Sequence, residues 1–222
     1  MRALVVLGVL LAVTAARPAP ARADPSNTKL VLVGAGLALP DYMLGVTLHE
    51  GSHALAAELV GASVDELHLF PPGRDPHVNT FRFGWTYVHG LRTTQARAFF
   101  YIAPKLTDTL LLGGYAALAY TSAWPANRYG SLVLTVFGTG LWIDFTKDLF
   151  LFAKTTDVEQ FFRVTCLQGW RRELPARLLY AGAAVGLGVV VARGYEHTFD
   201  RTPSAGASAR APFLLPILQA AF

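Results

Sequence analysis

Four long apolar segments constrain the fold of this chain more than any other feature of its sequence. Since about 20 residues of apolar helix cross the hydrocarbon core of a bilayer, each segment is a candidate membrane span. Only 15% of the residues are charged, against roughly 25% in soluble domains. The sequence therefore predicts an all-α, polytopic membrane bundle of about four transmembrane helices. The segments run from about Leu39 to Val60, Ala96 to Tyr120, Ser131 to Ala153 and Arg177 to Val191.

The first segment is preceded by further apolar residues, and Pro40 divides the combined stretch. A helix that began at Pro40 would place proline in its first turn and Gly61 just beyond its end, which is the favoured arrangement. We therefore expect a spanning helix from Leu39 to Val60. Residues 24–38 are expected to form a partly inserted or extended lead-in.

The N-terminus has the pattern of an export signal. Arg2 is followed by an apolar run, and Ala21-Arg22-Ala23 offers a small-residue cleavage site. This pattern predicts a signal peptide over residues 1–23, with an uncleaved signal anchor as the alternative. The bundle then occupies residues 24–193, and a flexible tail covers 194–222, where Ser, Ala, Pro and Gly are frequent.

The distribution of basic residues indicates how the chain is oriented and which partners it has. Lys and Arg are more frequent in the loops that follow the first and third segments, which places those loops on the cytoplasmic side. The net charge of +4 includes no dense basic run, so a nucleic-acid partner is not expected. The chain is therefore predicted to be a multi-pass protein of a bacterial inner membrane or plasma membrane, where it is surrounded by the lipid bilayer.

The connection between the first two spans, about residues 62–95, has strand character. Val64–Phe70 alternates in part, Pro71-Pro72-Gly73 interrupts it, and Thr80–Val88 alternates clearly. These patterns predict a small β-hairpin insertion, either packed against the bundle or presenting an edge that captures an extended peptide. Four aromatic residues are expected to share one face of its second strand: Phe81, Phe83, Trp85 and Tyr87.

The motif that carries chemistry is His49-Glu50-Gly51-Ser52-His53 in the first span. Residues four apart share one face of a helix, so His49 and His53 can bind the same metal ion. Glu50 is placed to act as a general base toward water at that metal. The residues around the motif are good helix formers, and ionisable groups within a membrane require a partner. The motif therefore predicts a Zn²⁺ site.

A catalytic zinc site needs a third protein ligand, and depth along the spans ranks the candidates. His49 and His53 lie roughly 15 and 21 Å from the outer surface when a helix rises 1.5 Å per residue. By the same measure Asp144 lies roughly 20 Å deep, Asp148 roughly 26 Å and Asp108 roughly 13 Å. Asp144 matches best, while Asp108 and Asp148 remain alternatives. A carboxylate that is not a ligand is expected to pair with Lys105 or Lys147.

The stretch TLHEGSHALAAELVGASV resembles the zinc-binding helix of the site-2 protease family of intramembrane metalloproteases. The resemblance implies zinc ligation by His49 and His53, catalysis by Glu50, and an aspartate on a later span as third ligand. Asp144 lies at the separation usual in that family, and Ile102-Ala103-Pro104 is similar to a segment of distant relatives. The chain departs from the family pattern because Phe145, not glycine, follows Asp144. The match is therefore to a divergent member.

Two functional hypotheses follow from these residues. The first is an intramembrane zinc metalloprotease that hydrolyses peptide bonds in or near transmembrane segments of membrane protein substrates, with Glu50 as the catalytic residue. The alternative is a polytopic membrane protein without catalysis, whose metal site is structural or which binds peptides. The missing Asp-Gly pair favours the alternative, while the intact His-Glu-x-x-His motif favours the enzyme.

Overall fold

The structure is a computed structural model that describes residues 24–150 and 155–200. Within these residues the chain is mostly helical, and each of the four apolar segments coincides with a long helix, as predicted. A fifth, short helix follows the third long one. The helices are α1 (Asn27–Leu59), α2 (Thr94–Ala119), α3 (Arg128–Phe150), α4 (Asp157–Val164) and α5 (Trp170–Phe199). The predicted signal peptide and the predicted end of the third segment at Ala153 lie outside the described residues.

Helix α1 begins earlier than the sequence predicted. The side-chain oxygen of Ser26 accepts a hydrogen bond from the backbone N–H of Lys29 at 3.3 Å, and the helix then continues through Pro40 without a break. The predicted helix start near Leu39 and the prediction of an extended lead-in before it are therefore wrong. Proline removes only one backbone donor, and long apolar helices tolerate this loss within their interior.

The end of α1 agrees with the prediction. Gly61 has a φ of +75°, and the backbone N–H of Ala62 donates to the carbonyl of Ala57 at 2.9 Å. Glycine adopts this left-handed conformation without the steric cost that a side chain imposes. The reversal turns the chain back toward α1, so the insertion that follows packs alongside the helix that carries the motif.

Two of the helices, α1 and α5, are long and apolar enough to cross a membrane, counting only the described residues. Helix α2 carries the buried ionisable side chains Lys105 and Asp108 near its middle, and α3 carries the buried Asp148 near its end. Helix α5 extends to Phe199, so residues 194–199, predicted to belong to a flexible tail, are helical. Residues 201–222 lie outside the described part of the chain.

The insertion between α1 and α2 contains the predicted antiparallel pairing. Strand β1 (Ser63–His68) pairs with β4 (Trp85–His89), and a shorter ladder joins β2 (Gly73–Arg74) to β3 (Phe81–Arg82). The predicted common face of four aromatic residues is wrong. The pairing is interrupted between β3 and β4, so Phe81 and Phe83 are exposed while the Trp85 side chain is buried.

A buried arginine joins three helix ends at one side of the bundle. Arg128, the first residue of α3, donates from Nη1 to the carbonyl of Pro25 at 2.5 Å and from Nε to the carbonyl of Thr198 at 3.1 Å. Its other terminal nitrogen donates to the side chain of Asn27. Since buried carbonyl groups require donors, this single side chain fixes the start of α1 and the end of α5 relative to α3.

The main apolar core lies between α2, α3 and α5, and Leu48, directly before the motif on α1, packs against it. Its buried members include Leu112, Tyr115, Leu141, Phe145, Ala184 and Val191. Two glycines let the helices approach Tyr115, because a methyl group at Gly138 would lie 2.6 Å from its ring and one at Gly194 would meet its hydroxyl oxygen. This packing holds α2 and α3 together, and those helices carry the polar groups that meet the motif.

Candidate metal centre

His49 and His53 lie one turn apart on α1, and both side chains face the interior. The ring centroids are 5.2 Å apart, and the side chains are 9% and 5% exposed. Buried imidazoles require hydrogen-bond partners or a metal, since an unpaired buried polar group is costly. The partners of the four ring nitrogens therefore show what the site can bind.

The Nδ1 atom of His53 lies 2.8 Å from the backbone carbonyl oxygen of Phe100 in α2. A carbonyl only accepts, so Nδ1 carries the proton and donates. This carbonyl is available because the residue four positions later is Pro104, which has no N–H to complete the helical hydrogen bond. The proline of α2 thus leaves an acceptor for Nδ1 of His53, and Nε2 of His53 faces a different group.

The Nδ1 atom of His49 lies 2.9 Å from Oδ2 of Asp144 on α3. An ionised carboxylate also only accepts, so Nδ1 of His49 is the donor, and when the imidazole is neutral Nε2 holds the lone pair. Asp144 is itself held in place, because the Lys147 ammonium lies 2.6 Å from Oδ1 and the Lys105 ammonium donates to the Asp144 backbone carbonyl. Asp144 therefore orients His49 through the nitrogen that faces away from the rest of the site.

The two Nε2 atoms converge on Asp157, the first residue of α4. Its Oδ2 atom lies 3.0 Å from Nε2 of His49 and 3.3 Å from Nε2 of His53. One ligand atom from each of the three residues falls within 4.8 Å of the others, which forms a group able to hold a metal ion. Ligand atoms about 2.0–2.1 Å from a tetrahedral zinc are separated by about 3.3 Å, so these distances fit such an ion.

The charge balance of this group also favours a cation. Burial alone would raise the pKa of the Asp157 carboxyl, but His53 and His49 outweigh it and hold that pKa well below its usual range. Asp157 is therefore an anion that faces the Nε2 atoms of both imidazoles. Positive charge is required between these nitrogens and the carboxylate, and either protons on the Nε2 atoms or a divalent metal ion supplies it.

Glu50 lies beside this group rather than within it. Its carboxylate oxygen Oε2 accepts a hydrogen bond from Oγ1 of Thr86 in β4 at 2.8 Å, and the same hydroxyl lies 3.2 Å from the Glu50 carbonyl oxygen. Glu50 is buried. The predicted catalytic residue is thus next to a candidate metal ligand in sequence and is contacted by the insertion in space.

None of the three aspartates proposed from the sequence belongs to the group of candidate ligands. Asp144 contacts the outer nitrogen of His49, and Oδ2 of Asp148 lies 2.9 Å from the buried Lys105 ammonium. Asp108 is also buried and follows Lys105 by three residues on α2. Pairing with Lys105 is the alternative that the sequence had suggested for a carboxylate that is not a ligand.

Sequence reasoning missed Asp157 because it searched only the apolar spans. Asp157 follows α3 and begins α4, where an acidic residue is usually explained by the positive end of the helix dipole. The sequence offered one signal, the position of Asp157 just after the third apolar segment. In the structure the short helix that begins with Asp157 packs on α2. Neither hydropathy nor helix depth reports a residue that enters the site from a connecting segment.

The ion pair between Lys105 and Asp148 yields a stability prediction. The two side chains are 4% and 3% exposed, so replacing Lys105 with methionine leaves a buried carboxylate without its partner. We expect Lys105→Met to lower the free energy of unfolding by about 3–5 kcal/mol. Lys147→Met removes a more exposed ammonium and should cost about 1 kcal/mol or less. Thermal unfolding of the detergent-solubilised chains measures both.

A second variant separates the loss of this ion pair from other effects of the lysine substitution. The double variant Lys105→Met, Asp148→Leu removes both charges, so it should recover most of the lost stability. Equal melting temperatures for Lys105→Met and Lys147→Met would show that the buried pair does not stabilise the bundle.

Comparisons with known proteins provide no relative from which a function could be transferred. No protein-family model matches the chain, and no curated protein or solved structure matches it either. The geometry of the described residues therefore carries the functional argument.

Proposed function

We propose that the chain is a multi-pass membrane zinc metalloprotease of the site-2 protease type. It hydrolyses peptide bonds in or near the membrane-spanning segments of other proteins. The observation that carries the proposal is the convergence of the Nε2 atoms of His49 and His53 on Asp157, next to the glutamate of a His-Glu-x-x-His helix. Three protein ligands leave a fourth position for water or substrate, as catalytic zinc sites require.

The proposed ligands are His49, His53 and Asp157, and this set replaces the one that the sequence suggested. Two nitrogens and one carboxylate oxygen suit zinc. Asp144 then serves as the carboxylate that orients a metal-ligating histidine, a partner that such histidines commonly have. Asp144 and Asp157 thereby have different roles at the two nitrogens of His49.

The metal and Glu50 have separate roles in the proposed reaction. A divalent metal in this site would supply Lewis acidity toward a peptide carbonyl and toward water. Glu50 accepts a proton from the attacking water and returns it to the leaving amine nitrogen. The substrate segment must be locally unwound, because the carbonyl groups of a helix are hydrogen-bonded within it. Packing of α2, α3 and α4 around the motif shields these steps from lipid.

In the proposed topology the site is within reach of a membrane-embedded substrate. We propose that α2 and α3 cross the membrane together with α1 and α5, with their ionisable side chains directed into the bundle. His49 then lies about 15 Å from the Leu59 end of α1, measured along the helix axis. The basic loops place that end on the cytoplasmic side.

The test measures zinc content and cleavage on the same purified full-length chain. The probe is a single-span reporter whose apolar helix is interrupted by Asn-Pro, reconstituted with the protein in lipid vesicles. We expect about one zinc ion per chain, cleavage that 1,10-phenanthroline abolishes, and recovery when Zn²⁺ is returned. A chain without zinc, or cleavage that is insensitive to the chelator, would contradict the proposal.

A second candidate function, a structural metal site without catalysis, is favoured by Phe145, which follows Asp144 where the site-2 protease pattern has glycine. In that case the chain would bind zinc, leave the reporter intact and lose its fold on chelation. A catalytic site should lose activity at a lower chelator concentration than the one that lowers the melting temperature.

A further inference from the structure

Strand β4 of the insertion makes a hydrogen-bonded contact with the motif helix at Glu50. The hydroxyl of Thr86 lies 2.8 Å from Oε2 and 3.2 Å from the backbone carbonyl oxygen of Glu50. A threonine hydroxyl has one proton, which it donates to one or both of these acceptors. The contact therefore joins a side chain of the insertion directly to the carboxylate that the proposed reaction uses as its base.

The close approach of the insertion to α1 depends on Gly84. A methyl group at this position would lie 2.8 Å from a methyl carbon of Val46, 2.9 Å from Cγ of Glu50 and 3.0 Å from the carbonyl oxygen of His68. Distances this short do not occur between real atoms of these types, so any side chain at position 84 must displace its surroundings. Glycine is required for Thr86 to reach Glu50.

The strand that carries Thr86 is anchored on both sides of that residue. The indole nitrogen of Trp85 donates to Glu66 at 2.6 Å, and the hydroxyl of Tyr87 donates to the buried Asp75 at 2.5 Å. Thr86 itself pairs with Leu67 across the β1–β4 ladder. These contacts hold Thr86 in one orientation even though much of the insertion is exposed.

From these contacts we infer that Thr86 is a positioning residue for Glu50, and that the insertion is thereby a working part of the hydrolytic site. The inference rests on the proposed function, because it assigns Glu50 the role of base. With Oε2 held by Thr86, the carboxylate cannot rotate freely and Oε1 remains to accept the proton from water. Preorganised hydrogen bonds of this kind raise the rate without strengthening substrate binding.

The test compares Thr86→Val, which keeps the shape and removes the hydroxyl, with Thr86→Ser, which restores it. Thr80→Val is the matched control, because Thr80 is an exposed threonine of the same insertion. We expect Thr86→Val to lower kcat for the Asn-Pro reporter about tenfold, the scale of one hydrogen bond to a charged group. KM and zinc content should not change, and Thr86→Ser should retain kcat within about threefold.

A binding measurement makes the inference testable even if the reporter is not cleaved. Acetohydroxamic acid chelates zinc and shares its proton with the neighbouring carboxylate, so its affinity reports whether Glu50 is correctly oriented. We expect Thr86→Val and Gly84→Ala to weaken its binding about tenfold, while Thr80→Val has no effect.

The outcomes separate this inference from the proposed function. Equal kcat and equal hydroxamate affinity for Thr86→Val and Thr80→Val would overturn the role of Thr86, while chelator-sensitive cleavage by the unmodified chain would still support the protease. A chain that holds no zinc would overturn both. A rise in KM without a fall in kcat would show that Thr86 contacts substrate instead of positioning Glu50.

Discussion

Replacing Glu50 with glutamine is expected to lower the rate of peptide hydrolysis by about 10²–10⁴-fold, the usual contribution of a positioned general base. Glutamine has nearly the same shape as glutamate, but its amide cannot take a proton from water at neutral pH. Because Glu50 is outside the group formed by His49, His53 and Asp157, zinc content should not change. The measurement is the initial rate of reporter cleavage together with the zinc content of each purified chain.

The control for this prediction lies on the same helix. Glu58→Gln changes an exposed glutamate two turns further along α1 and should leave the rate within about twofold. If Glu50→Gln retained full activity, the proposed mechanism would be wrong whatever the metal content. If it lost zinc together with activity, Glu50 would be supporting the metal site instead of acting as a base.

The sequence predicted the helices well because long apolar segments impose few alternatives. An α-helix pairs the backbone polar groups of such a segment within the segment itself, so that none is left unpaired in apolar surroundings. The beginning of α1 was harder to predict, since Pro40 has the same preference for a first turn whether or not a helix precedes it. The packing of α1 on the other helices decides whether the helix begins at Pro40 or continues through it.

The candidate site was predicted in part. A four-residue spacing places His49 and His53 on one face of a helix, and this follows from helical geometry alone. Depth along the spans also placed Asp144 near His49, and the structure has these side chains 2.9 Å apart. Depth does not report which nitrogen of an imidazole a carboxylate meets, and this difference separates a metal ligand from a residue that orients one.

The partner of His53 illustrates a further limit of sequence reasoning. The sequence alone indicates that Pro104 leaves the carbonyl of Phe100 without its helical donor. It does not indicate that His53, on another helix, occupies that carbonyl at 2.8 Å. Contacts between distant segments depend on how the helices pack, so the local pattern identified an available acceptor but not the residue that uses it.

The roles of Asp157 and Asp144 can be separated by measuring zinc affinity. Four-coordinate zinc sites contribute about 10–16 kcal/mol, so loss of one ligand should cost about 2.5–4 kcal/mol, or roughly 10²–10³-fold in affinity. We expect Asp157→Ala to show a loss of this size, since its Oδ2 atom faces both Nε2 atoms. Asp144→Asn should cost only about 10–100-fold, the effect of removing a partner that orients a ligand.

Competition with a chelator of known zinc affinity provides both values on the detergent-solubilised full-length chain, and Asp65→Asn is the control because Asp65 is an exposed acid of the insertion. The asparagine at position 144 can still accept a hydrogen bond from Nδ1 of His49 through its amide oxygen, so its effect should remain the smaller one. The reverse order, with Asp144→Asn the more severe, would make Asp144 the third ligand. Asp157 would then be a helix-terminal carboxylate that faces the site without binding the metal.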